Sequence, residues 1–225
     1  EVESYLADAA PGRYERLMDR LLSSEAFVDY WTWRLARQLR VRTGPNDERG
    51  TQAFHGWIRE QIRAGNPLDK MTKEMLVASG DSWENGPANF HRSASEARAE
   101  AEYLSEVLLG IRIRCANCHN HPLDRWTQDD YHGLAAIFAR LDRGRNVRLL
   151  SSGDIIHPAT GEAAQPRIPG ERFLTVGKNS SGDHRAELAD WLLEKKSRMF
   201  AKAQVNRLWK AMLGCGLVEP ANDLR

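Results

Sequence analysis

Cys115-Ala116-Asn117-Cys118-His119 stands between two stretches of helical periodicity, and that placement decides how the chain is read. Upstream, the spacing predicts a helix from Ser95 to about Leu109 that turns Ala101, Leu104 and Leu108 to one side, with Gly110 as its end or a bend. Downstream, Thr127 followed by Asp130 has the pattern of a capping box, opening a helix that carries Tyr131, Leu134, Ile137, Phe138 and Leu141. A short segment bearing Cys and His between two apolar helices suits burial of a flat apolar cofactor. It suits plain core packing equally.

The spacing itself supports three readings. Two thiols three positions apart can each form a thioether to a haem vinyl group, with the next histidine, His119, as the proximal iron ligand. The same thiols with His119 and His121 supply the sulfur and imidazole donors that suit zinc or another metal. The pair can also be incidental or a disulfide. The chain holds only three Cys and seven His, so their gathering here is meaningful, but it does not by itself choose haem over another metal.

The 225 residues suffice for one sizeable core or two modest ones. A content of 41% hydrophobic and 28% charged residues describes an ordinary globular protein. The net charge of +1, with no Lys/Arg cluster along one face, gives no electrostatic case for nucleic acid. No apolar run approaches the ~20 residues of a membrane span. With no initiator Met and no leader at Glu1-Val2-Glu3-Ser4, the sequence reads as an excised piece of a longer protein, so a missing targeting signal says little about location. Cys215, between Gly214 and Gly216, reads as a small buried hydrophobe at a helix end.

Helices are expected at Arg13–Leu22, after a Ser24 cap with Phe27, Trp31, Leu35 and Leu39, and after a Thr51 cap with Phe54, Trp57, Ile58 and Ile62. Gly44-Pro45-Asn46-Asp47 and Gly65-Asn66-Pro67 break the pattern. A short helix over Leu68–Ser79 follows, and residues 80 to 94 read as a long loop. Past Arg143-Gly144, Val147–Leu150 and Ile155-Ile156 are β-like runs, and residues 161 to 182 look like a Pro/Gly/Ser-rich connector. Helix resumes at an Asp183 cap with Leu188, Trp191 and Leu192 inward. A last helix runs from Met199 with Val205, Leu208, Trp209, Met212 and Leu213. Most of the seven Trp fall on helical stripes and read as core, with Trp83 and Trp126 set in loops near the motif. The expected fold is mainly α: a helical unit around the Cys segment over 1–143, a short-strand connector over 144–182, and a C-terminal helical pair over 183–225.

Ile113 to Tyr131 (IRCANCHNHPLDRWTQDDY) resembles the signature of the planctomycete-specific cytochrome-like domain family. Leu17–Ser24 (LMDRLLSS), Asn85–Phe90 (NGPANF) and Gly153–Glu162 (GDIIHPATGE) resemble its other motifs. Arg185–Leu192 (RAELADWL) and Val205–Trp209 (VNRLW) resemble the opening of the planctomycete-specific domain that usually follows it. The resemblance covers nearly the whole chain. It implies an extracytoplasmic bacterial protein, often part of a multidomain chain with a separate cytochrome c domain upstream as a redox partner, and it defines no biochemical activity.

Under the haem reading, Cys115 and Cys118 attach haem c and His119 is the proximal ligand. The second axial ligand is sought among His157, which also matches the family pattern, Met71, Met75 and His91, with His132 placed behind them as a solvent-facing helix residue. An open sixth position is the remaining case. Under the zinc or iron reading, His119 and His121 ligate and Asp124 orients an imidazole or completes the set. A third hypothesis, an enzyme acting on a polymer, has Asp124, Asp129 and Asp130 as carboxylates, though no acid/base pair stands out.

Overall fold

The computed structural model describes residues 2–42, 47–175, 182–194 and 198–224. The break expected at Gly44-Pro45-Asn46 and connector residues 176–181 lie outside them. The fold is mainly helical: α1 (Val2–Ala7), α2 (Arg13–Leu22), α3 (Glu25–Gln38), α4 (Glu48–Arg63), α5 (Leu68–Val77), α6 (Asn89–Arg92), α7 (Ala97–Leu104), α8 (Gln128–Ile137), α9 (Arg185–Leu193) and α10 (Met199–Leu213). Strands β1 (Gly80–Asp81), β2 (Leu141–Asp142) and β3 (Asn146–Leu149) form an antiparallel sheet in the order β1-β3-β2, pairing Gly80 with Val147 and Leu141 with Leu149.

Local chemistry sets several boundaries. The Ser24 side chain accepts the Phe27 N–H and starts α3. Thr51 does not cap α4. The helix begins three residues earlier, after Asp47, and the Thr51 hydroxyl donates back to the Asp47 carbonyl. The loop expected over 80–94 is instead built of β1, a 3-10 turn at Gly86–Ala88 and α6, and it is mostly buried. Asp183 lies one residue ahead of the α9 cap position, His184, although its carboxylate does accept the Arg185 N–H. The run at Ile155-Ile156 makes only an isolated bridge, Ile156 to Ala163.

One hydrophobic core joins residues from all three expected segments, from Leu39, Phe54 and Ile58 through Leu104, Tyr131 and Phe138 to Leu188 and Trp191. Within it α3 packs on α4, α5 on α9 and α7 on α8. A buried polar network ties the C-terminal segment to it. Glu100, fully buried, accepts from His91 Nδ1 at 2.5 Å and from Arg143 Nε at 2.8 Å. Arg185 donates to the other ring nitrogen of His91 at 3.3 Å and to the Ala78 carbonyl at 2.8 Å. Since a guanidinium only donates, His91 Nε2 is the accepting nitrogen and Nδ1 carries the hydrogen.

Helix α7 continues as a π-helical turn, Ser105–Leu109, and ends at Gly110 in the left-handed region, φ 66°. That turn leaves carbonyls in need of donors, and α10 supplies them: Arg207 donates to the carbonyls of Glu106 and Val107, and Gln204 to those of Val107 and Leu108. Burial holds the Arg207 guanidinium down to about 10. Helix α10 therefore turns Phe200, Ala203, Gln204 and Arg207 inward. The expected stripe, Val205, Leu208, Trp209, Met212 and Leu213, faces out. Trp33 is also exposed, and Cys215 is exposed rather than buried. Helix α2 buries none of its residues despite its apolar stripe.

Candidate functional site

The Cys segment follows Gly110 as a 3-10 turn, Arg114–Asn117. Ile111, Ile113 and Ala116 enter the core, which turns Cys115, Cys118 and His119 outward. All three cysteines of the chain are free thiols. His119 Nδ1 lies 2.8 Å from the Asn120 carbonyl. A carbonyl only accepts, so Nδ1 carries the hydrogen and Nε2 is left as the lone-pair nitrogen.

The loop returning to α8 is clipped at several points. The His121 N–H donates to the Trp126 carbonyl at 2.8 Å, and the Gln128 N–H donates to Asn120 Oδ1 at 3.1 Å. Trp126, buried, donates its indole N–H to Asp124 Oδ2 at 2.7 Å, while Asp124 Oδ1 accepts the Arg125 N–H. Asp124 is thus engaged in shaping the loop. His121 Nδ1 accepts the Leu123 N–H at 3.2 Å. Among the described residues, no three His, Cys, Asp or Glu side chains gather so as to hold a metal ion, the set Cys115, Cys118, His119, His121 and Asp124 included.

The capping box opening α8 is present, with Thr127 Oγ1 accepting the Asp130 N–H and Asp130 accepting the Thr127 N–H. Asp130 also accepts from Arg167 Nε at 2.8 Å and from the Gly170 N–H at 2.7 Å, which draws the connector over α8. Burial pushes the Asp130 carboxyl up, but the bonds from Gly170, Thr127 and Arg167 outweigh it and hold the group below the usual carboxylate range.

His132, one turn after Gln128 on α8, is the residue that sequence reasoning undervalued. It is buried rather than solvent-facing, and its Nε2–H donates to the Asn117 carbonyl at 2.9 Å. The Gln128 side chain approaches the same oxygen at 3.4 Å. The available signal was the i, i+4 spacing, which sets both donors on one face of the helix. Burial, more than the neighbouring His157, holds the His132 imidazole below its ordinary value. His132 Nδ1 is buried and has no hydrogen-bond partner.

The structure brings His157 to this place. Its ring centroid lies 5.0 Å from that of His132, and its Nε2 is 3.2 Å from Asp129 Oδ1. The turn that carries it is held by its own backbone, which donates to the Glu162 carbonyl and accepts from Gly161, and by its Nδ1, which accepts the Ala159 N–H. Met71 does not join the site. It is buried in α5 and lines a separate groove with residues of α3 and α10, to which no residue of the Cys segment contributes. His91 is taken up by Glu100 and Arg185, and Met75 lies in the core.

A mainly helical domain that presents two free thiols and a backbone-anchored histidine on one clipped turn is the class defined here. The chain belongs to the PSCyt2 family, described as a protein of unknown function (DUF1549), whose family model matches residues 1–143. Residues 184–225 match a second model, PSD1, also described as a protein of unknown function (DUF1553). No curated protein matches the chain, and no solved structure does. Among the described residues, no helix is long and apolar enough to cross a membrane.

Proposed function

We propose that the chain is a c-type cytochrome-like module that carries one covalent haem and works outside the cytoplasm, where such attachment takes place. The observation that carries this reading is the setting of His119: its Nδ1–H is given to the Asn120 carbonyl, which leaves Nε2 available to ligate, beside two exposed free thiols. Anchoring one imidazole nitrogen so that the other meets a metal is the usual arrangement for ligating histidines. The residues present therefore fit the group. Cys115 and Cys118 would hold the group through thioethers and His119 through Nε2, and His157 would be the candidate second ligand on giving up the bond from the Ala159 N–H to its Nδ1, while Met71 stands apart. When bound, haem supplies reversible one-electron exchange. The chain's own part is to hold the Cys turn through His132, to orient His119 through Asn120, and to present the site at the surface to a redox partner, such as a cytochrome c domain of the same parent chain.

The test is a pyridine haemochrome spectrum on the chain exported to a periplasm that has cytochrome c maturation machinery, beside a Cys115→Ala/Cys118→Ala variant. A thioether-type spectrum in the parent alone is expected. Protein that folds and is exported without haem, or that carries stoichiometric zinc or iron instead, overturns the reading.

A further inference from the structure

On the side of the molecule where α3, α5 and α10 meet lies a groove of about 670 Å³, lined mainly by apolar side chains such as Phe27, Trp31, Leu35, Met71 and Leu208. That volume is in the range of small-molecule sites, and a mostly apolar wall with a few polar groups is their usual composition. Phe27, Trp31 and Leu35 follow one another at every fourth position of α3, so together they run for about 12 Å, the span of a medium-length alkyl chain.

The charges along the groove are one-sided. Three cations, Arg34, Arg207 and Lys210, contribute to the lining, and no carboxylate does. Two of them are occupied. Arg207 donates to the carbonyls of Val107 and Glu106, and Lys210 pairs with Glu219 at 2.9 Å. Arg34 differs: its guanidinium donates to the Tyr30 hydroxyl at 3.1 Å and stands over the Tyr30 ring, and among the described residues it makes no ion pair. A guanidinium is more weakly hydrated than an ammonium, and a carboxylate matches its paired N–H groups in both charge and geometry.

We propose that this groove binds an amphipathic carboxylate of fatty-acid type, with its head on Arg34 and its alkyl chain along the α3 face. The site is separate from the Cys segment, so it stands whether or not haem is attached.

The test is calorimetric titration of the whole chain with dodecanoate below its micellar concentration, beside dodecanol and dodecyltrimethylammonium. One site per chain is expected, with dodecanol bound about tenfold more weakly, a loss of about 1.4 kcal/mol. The cation should not bind. Arg34→Gln should weaken dodecanoate by a similar factor. Val205→Glu should abolish binding, and because Val205 is an exposed residue of the groove this variant should keep the parent's circular dichroism. Equal binding of dodecanol, or unchanged affinity in Arg34→Gln, overturns the proposal. So does a chain that is dimeric by sedimentation, becomes monomeric in Val205→Glu and takes up no dodecanoate, since the groove then belongs to a second copy.

Discussion

His132 Nε2 donates to the carbonyl of Asn117 across 2.9 Å, so a buried helix side chain holds the peptide that lies between the two cysteines. The turn is thereby fixed from beneath while its thiols face solvent. His132→Phe keeps the ring and removes this bond. The expected loss is about 1 kcal/mol, or roughly 2–4 °C in Tm for a chain of this size. Hydrogen exchange should quicken at residues 116–120. Unchanged exchange there would mean that the turn is held without the His132 bond.

Asp130 makes stability depend on pH in a definite direction. Its folded-state carboxyl is held below the ordinary value of 3.8, so its contribution is fully present above that value and is lost as pH falls through the folded-state value. Asp130→Asn should cost about 2 kcal/mol at pH 7, because it weakens the charged bonds to Arg167 and Gly170. Denaturant melts of both proteins between pH 7 and pH 2.5 should show the gap closing below pH 4. A gap of constant size would show that the carboxylate's charge is not what stabilises the connector.

Arg185 enters the core from the segment matched by the second family model. Arg185→Met removes the donor to His91 and to the Ala78 carbonyl and leaves both buried, as well as leaving Asp183 without its guanidinium partner. Truncating one partner of such a network costs about 3–5 kcal/mol. Urea unfolding should show one transition at a lower midpoint with an unchanged slope. Two separate transitions would mean that Arg185 also couples the two matched segments in a single cooperative unit.

Gly133 marks where the connector crosses α8. A Cβ there would lie 2.4 Å from the Cβ of Arg167, and the Gly133 carbonyl accepts the Arg167 N–H at 3.0 Å. Gly133→Ala should improve helix propensity yet destabilise the protein by about 1–3 kcal/mol through overpacking. A thermal melt decides it, and a rise in Tm would show that the connector yields at no cost.

Elements written into local sequence were legible. The Ser24 cap and the Thr127–Asp130 box rest on side chains within a few residues of one another, the Gly110 stop on a residue that takes the left-handed region without a Cβ, and the structure has all three. The α10 stripe faces away from the core for a physical reason. Its apolar periodicity is real, but the π-helical turn leaves open carbonyls, and satisfying them turns Gln204 and Arg207 inward. His132 was passed over likewise, because its acceptor lies 15 residues away in a turn whose shape the sequence does not disclose.

The sequence by itself determined the mainly helical class, the apolar helices framing the Cys turn, and the residue types available for chemistry. These follow from periodicity and from contacts between near neighbours in the chain. Only the tertiary structure decided which histidine meets the motif, that Met71 lies in a different groove, and that Arg34 faces that groove without an ion pair among the described residues. Those facts depend on packing between segments far apart in sequence, where burial and the need to pair every buried polar group choose among arrangements that local pattern leaves equivalent.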